Sequence, residues 1–208
     1  RHNDNTERLY LTDLNTRAGS QLSDRIARHP CWLNQDNLAF LAPSSSADNS
    51  EVLTVNIPTR EISLLTRFSG KADWLAVHPD RTKIAVVLES PDGRGKILLR
   101  DLSNQTDTTI HEGWEYEYLR WSPDGSALCW DRPGASRDAP KASSGIWVLV
   151  MGQSEPYLVA KDAYCPVWSA DGTALYFGMR QGQQGLWRHD LRQKKEHLVC
   201  RWETVFSY

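Results

Sequence analysis

Trp121-Ser122-Pro123-Asp124-Gly125 recurs as Trp168-Ser169-Ala170-Asp171-Gly172, with weaker copies at Val77-His78-Pro79-Asp80-Arg81 and Leu33-Asn34-Gln35-Asp36-Asn37. The four Asp positions, 36, 80, 124 and 171, are 44, 44 and 47 residues apart. A short apolar run follows each copy: Leu38-Ala39-Phe40-Leu41, Ile84-Ala85-Val86-Val87, Leu128-Cys129-Trp130 and Leu175-Tyr176-Phe177. An apolar or aromatic residue ends an inner strand, proline presets φ, Asp offers a side-chain acceptor, and Gly tolerates positive φ. The next strand then runs back antiparallel. A near-constant step of this size marks a repeat array. The turn residues are Trp121, Pro123, Asp124, Gly125, Trp168, Asp171, Gly172, Asp80 and Asp36. Copies without Gly are expected to turn slightly differently, with Asn37 still tolerating a left-handed backbone.

Between the Asp turns lies a second repeated unit, an outer hairpin. Its first strands begin at Leu9, Val52, Ile97, Ile146 and Leu186, and a polar turn and a second β-rich run follow each. One repeat is therefore four short strands, A to D, in about 44 residues with almost no helical periodicity. Four-stranded units of this length that stack radially make a β-propeller blade. The expected architecture is all-β, with about 4.5–5 blades belonging to a larger or incomplete ring. The expected boundaries are 1–25 (outer hairpin only), 26–67, 68–112, 113–162, 163–201, and 202–208 as the start of another A strand. Open edges of such an array favour self-association. A–B and C–D turns share one end of each blade, and B–C and D–A connections share the other. The B–C connections, 42–50, 89–95, 131–144 and 178–185, read as long and variable, which is where repeat proteins place binding surfaces.

Composition narrows the function. A net charge of −2 argues against a dedicated nucleic-acid surface. No run of about 18 apolar residues is present to span a bilayer as a helix. Nine Trp recur with the repeat, which suits a structural role. Cys31, Cys129, Cys165 and Cys200 form no C-x-x-C pair, so zinc has little support, and a disulfide among them stays open.

The Trp-Ser-Pro-Asp-Gly turn, the Leu-x-Phe-like strand after it and the Ile-Trp outer hairpin resemble the TolB-type, WD-like propeller repeat. The resemblance is strong over 116–200 and weaker over 27–90. Similar repeats occur in periplasmic TolB, in propellers of prolyl-oligopeptidase-like peptidases, and in C-terminal regions of CadC-like winged-helix regulators. The resemblance implies a binding module of a larger envelope or signalling protein, periplasmic or otherwise extracytoplasmic. The alternative it implies is the substrate-gating propeller of a serine peptidase whose catalytic domain lies outside this chain. A fold alone does not assign an activity.

No G-x-S-x-G elbow is present, and Gly93-Arg94-Gly95-Lys96 fails the phosphate-loop spacing. His29, His78 and His111 fall at different places in the repeat and are not expected to converge on a metal. No catalytic residue and no cofactor are expected. The most suggestive cluster is His111-Glu112-Gly113-Trp114-Glu115-Tyr116-Glu117-Tyr118, leading into an A strand. Trp114 and Tyr116, with Arg132 and Tyr164, are the residues expected to hold a protein or peptide partner, since aromatics and Arg dominate such contacts. The competing reading packs Tyr116 and Tyr118 between blades.

Overall fold

A computed structural model describes residues 7–44, 49–90, 94–114, 116–134, 144–179 and 182–202. All regular structure among them is β. A two-stranded hairpin, β1 (Tyr10–Thr12) and β2 (Gly19–Gln21), precedes four antiparallel four-stranded sheets. The first sheet is β3 (Arg28–Trp32), β4 (Asn37–Pro43), β5 (Asn49–Asn56) and β6 (Ile62–Ser69). The second is β7 (Ala72–Val77), β8 (Lys83–Glu89), β9 (Arg94–Asp101) and β10 (Asp107–Trp114). The third is β11 (Glu117–Trp121), β12 (Ala127–Arg132), β13 (Gly145–Val150) and β14 (Tyr157–Lys161). The fourth is β15 (Ala163–Trp168), β16 (Ala174–Met179), β17 (Gly185–Asp190) and β18 (Lys195–Arg201). In each sheet the strands neighbour one another in chain order, as the repeat predicts. Strands β4, β5, β8 and β9 claim residues at both ends of the expected B–C connections. The first of these shrinks to 44–48 and the second to 90–93, and only 133–144 remains long.

The chain divides into two compact units. The first holds Arg1–Val77, Arg81–Pro91 and Lys96–Thr109; the second holds His78–Asp80, Asp92–Gly95 and Ile110–Tyr208. In the first unit β4 is buried on both faces, which explains why its sequence is a continuous apolar run rather than an alternating one. Ala39 and Leu41 join Leu75, Ile84, Val86 and Leu98 of the second sheet. Leu38, Phe40 and Ala42 pack instead with Leu9 and Leu22 beside the β1–β2 hairpin. The two sheets are further joined by Arg100. Its guanidinium meets both carboxylate oxygens of Asp107, Thr66 and the Arg67 carbonyl, and lies 4.1 Å from the Phe68 ring centroid. In the second unit Cys129, Ile146 and Val148 of the third sheet pack with Ala163, Leu175 and Phe177 of the fourth.

Turn chemistry repeats with the sheets. Ser122 Oγ donates to Asp124 Oδ1 and accepts the Ala127 N–H; Ser169, Asp171 and Ala174 do the same. In the second copy His78 replaces the Ser, and its Nδ1 lies 2.7 Å from Asp80 Oδ1. The same end of each sheet is tied by one bond from the outer hairpin to the Asp turn: Ile57 N–H to Asp36 O, Leu102 to Thr82, Met151 to Ser126 and Leu191 to Thr173.

That bond corrects one expectation, and the backbone at Arg81 corrects a second. Asp36 stands where Ser126 and Thr173 stand, so it is not the turn's side-chain acceptor. Asn34 is: its Oδ1 accepts the Asp36 N–H, as Asp124 accepts that of Ser126. The physical reason is length. Trp32 pairs with Leu38, whereas Trp121 pairs with Leu128 and Trp168 with Leu175, so the first turn is one residue shorter. The Asp80 copy, by contrast, keeps the common turn without Gly. Arg81 takes φ 64°, beside 72° at Gly125 and 69° at Gly172.

Candidate functional site

The first strand of every sheet carries the same irregularity. The register breaks between Arg28 and Cys31, Asp73 and Leu75, Glu117 and Arg120, and Tyr164 and Val167. Within those breaks His29, Trp74, Tyr118 and Cys165 adopt φ of 49°, 51°, 54° and 53°. Each is three residues ahead of the residue that ends its strand: Trp32, Val77, Trp121 or Trp168. Left-handed φ at bulky residues is uncommon and costs roughly 1–2 kcal/mol. Four repetitions make it a built feature: a bulge that re-aims one side chain per inner strand.

In the first unit the bulge side chains touch. The His29 and Trp74 rings lie 4.0 Å apart, and His29 Nε2 is 2.7 Å from Asp73 Oδ1. Burial opposes ionisation of Asp73, but the His29 bond and charge outweigh it and hold the carboxyl below its usual range. Asp73 also meets Glu89, which is paired with Lys71. Nearby in sequence, Glu51 is clamped 3.0 Å from both Arg67 and Arg25, and these bonds, Arg67's first, lower its carboxyl too.

In the second unit Tyr118 is hydrogen-bonded to the Cys165 side chain, and mainly for that reason its phenol is pushed up to about 12. The Cys165 N–H donates to Asp131, which is fully buried. Tyr116 is 5% exposed, its hydroxyl lies 2.6 Å from His111 Nδ1, and its ring stands 5.6 Å from that of Trp130. Burial raises the Tyr116 phenol and lowers His111, in each case favouring the neutral form. Tyr116 is thus an interior residue. The packing alternative describes it, and as placed it offers no surface to a partner. The side chain of Trp114 lies outside the described residues. Arg132, at the end of β12, is half-buried and electrostatically coupled to His111 and Tyr116. Tyr164 is half-buried; its ring packs on Gly178, where a Cβ would come within 2.6 Å, and edge-on to Trp202, which is 44% exposed. Reading the sequence weighed His29 only as a metal ligand and did not single out Asp73, Trp74 or Trp202. The offset of three before each strand-ending residue is the one signal that could have found the bulge positions.

The three histidines occupy separate surroundings: Asp73 and Trp74 for His29, Asp80 and Trp121 for His78, Tyr116 and Trp130 for His111. Among the described residues no group of three or more His, Cys, Asp or Glu is arranged to hold a metal ion. The four cysteines are free thiols; Cys129 is fully buried, and burial pushes its thiol up.

No protein-family model matches the chain. A curated relative, Tricorn protease homolog 1 of Streptomyces coelicolor, is 32% identical over 108 residues, 52% of this chain and 10% of that protein. Among solved structures, TolB from Acinetobacter baumannii superposes with a TM-score of 0.72 at 16% identity, covering 93% of this chain and 49% of that one. An oligogalacturonate lyase in complex with manganese gives 0.68 at 14%, covering 95% and 60%. The β-propeller domain of the Trilobed protease from Pyrococcus furiosus gives 0.58 at 12%, covering 88% and 60%. The fold is therefore that of the TolB-type β-propellers, with the four-stranded sheets as blades. The chain spans about half the length of the TolB structure and a tenth of the curated relative.

Proposed function

We propose that this chain is a non-catalytic propeller module that binds a protein or peptide, as the sensor or scaffold part of a larger extracytoplasmic envelope or signalling protein. The observation that carries the reading is Tyr164 packed edge-on to the exposed Trp202 in the second unit, where inner strands begin, with Tyr118 bonded to the adjacent Cys165 and Arg132 following Asp131, which accepts the Cys165 N–H. Aromatic and Arg side chains that keep partial exposure beside a well-packed base are the residue types that dominate binding energies. Tyr116 and His111 form that base.

A second reading has its own support. The 108-residue match to a tricorn protease homolog favours a propeller that admits peptides to a protease. Both readings place peptide on the same end of the blades and differ in whether the whole protein cleaves it.

The test is selection of peptides from a random display library against the full-length protein, followed by fluorescence-anisotropy titration. Tyr164→Ala and Trp202→Ala are each expected to weaken the selected peptides about tenfold or more, the scale of a hot-spot residue. Selected peptides that bind both variants as tightly as the parent would overturn the site. Turnover of the same peptides by the full-length protein would decide for the protease reading.

A further inference from the structure

At the tight-turn end of the first unit, Trp32, Leu33, Asn34, Gln35 and Arg81 line an open pocket of about 390 Å³. Trp32 is 56% exposed, although its counterpart Trp121 is 9% exposed and Trp168 donates its indole N–H to the Arg120 carbonyl. The Trp32 indole, the Gln35 amide and the Arg81 guanidinium make no hydrogen bond or ion pair among the described residues. Asn34 Oδ1 is engaged twice within the turn, which leaves its NH2 group as a donor. In the second unit the equivalent niche is filled: His78 lies on Gly125 and edge-on to Trp121, 4.6 Å between centroids. Leu33 stands in place of His78 and Arg81 in place of Gly125, in a turn one residue shorter, and the niche is open.

We propose that this pocket binds one ring of a neutral saccharide. An exposed indole offers a flat apolar platform with a polar edge, and a pyranose presents an apolar C–H face to match it. Around that platform stand two carboxamides and a guanidinium, planar groups that serve vicinal hydroxyls as donors and acceptors. The volume suits one ring of a small ligand. Four of the five lining residues are uncharged, so the indole and the amides, rather than charge, dominate the wall of the pocket. An extended peptide would seek a free strand edge, and this pocket is walled by turns.

The test is saturation-transfer NMR on the full-length protein with maltotriose, cellotriose and triacetylchitotriose, and with glucuronate and a glutamate-rich tetrapeptide as charged comparators. At least one neutral trisaccharide is expected to bind with Kd on the order of 1 mM. Trp32→Ala should weaken it by about tenfold or more, and Gln35→Ala and Arg81→Ala by less. Tyr157→Ala, on the exposed outer strand β14, should leave it unchanged. Absence of transfer from all three neutral sugars, stronger binding of a charged comparator, or an affinity untouched by Trp32→Ala overturns the proposal. Should Trp32→Ala fail to fold, the exposed Gln35→Ala decides: unchanged affinity there also overturns it.

Discussion

Gly125→Ala and Gly172→Ala are the same substitution in two copies of one turn, and the structure predicts unequal costs. Both glycines are left-handed, at φ 72° and 69°, so each alanine carries a backbone penalty of roughly 1–2 kcal/mol. At Gly172 the nearest atom to a new Cβ is Pro123 Cδ at 3.5 Å, an ordinary contact. At Gly125 the new Cβ falls 2.3 Å from His78 Nε2 and 2.5 Å from Cε1. The imidazole has nowhere easy to go. Its Nδ1 is held 2.7 Å from Asp80, and its ring abuts Trp121. Overpacking of this kind adds about 1–3 kcal/mol, so Gly125→Ala should cost about 2–5 kcal/mol against 1–2 for Gly172→Ala. Urea midpoints at constant m-value measure both. In a His78→Ala background the cost of Gly125→Ala should fall to that of Gly172→Ala, a coupling of about 1–3 kcal/mol in a double-mutant cycle. Equal costs in the parent background, or no coupling, would refute the claim that His78 is packed hard against this turn.

Other outcomes follow from the turns and the joint between the first two sheets. Asp171 is held at about 2 by Ser169 and by the N–H and hydroxyl of Thr173, below its ordinary 3.8. A depressed carboxyl stabilises the fold above the unfolded value and loses that contribution as pH falls from 4 toward 2. The urea midpoint of Asp171→Asn should thus lie below the parent's at pH 6 and converge with it near pH 2. Asn34→Ala should destabilise by about 1 kcal/mol and Asp36→Ala by under about 0.5, because Asn34 supplies the turn's acceptor and Asp36 only its backbone. The reverse order in thermal melts would restore Asp36 as the turn residue. Arg100→Lys should cost about 2 kcal/mol in urea unfolding, since an ammonium cannot reproduce the fork onto Asp107 together with the bonds to Thr66 and the Arg67 carbonyl. A loss under about 0.5 kcal/mol would mean that the joint rests on apolar packing alone.

The repeat, the strand count per blade and the strand order were legible because their signals are local. Pro123, Asp124 and Gly125 act within five residues of one another, and β12 and β16 are apolar runs bounded by turns. The partner-binding reading was less legible. Tyr116 and Tyr164 look alike in the sequence, both aromatic near the start of an inner strand. One is buried under Trp130 with its hydroxyl on His111, and the other keeps part of its ring free beside Trp202.

The sequence by itself determined that the chain folds as consecutive four-stranded antiparallel units, because turn propensity and apolar patterning are decided within a few residues. Only the tertiary structure decided register. Whether Asn34 or Asp36 caps the first turn depends on Trp32 pairing with Leu38, and a strand reads its register from the strand beside it. The same holds for the bulges at His29, Trp74, Tyr118 and Cys165. Of those four residue types only His has any leaning toward positive φ. The packed sheets leave one residue too many in each inner strand, and in the third sheet that residue is Tyr118.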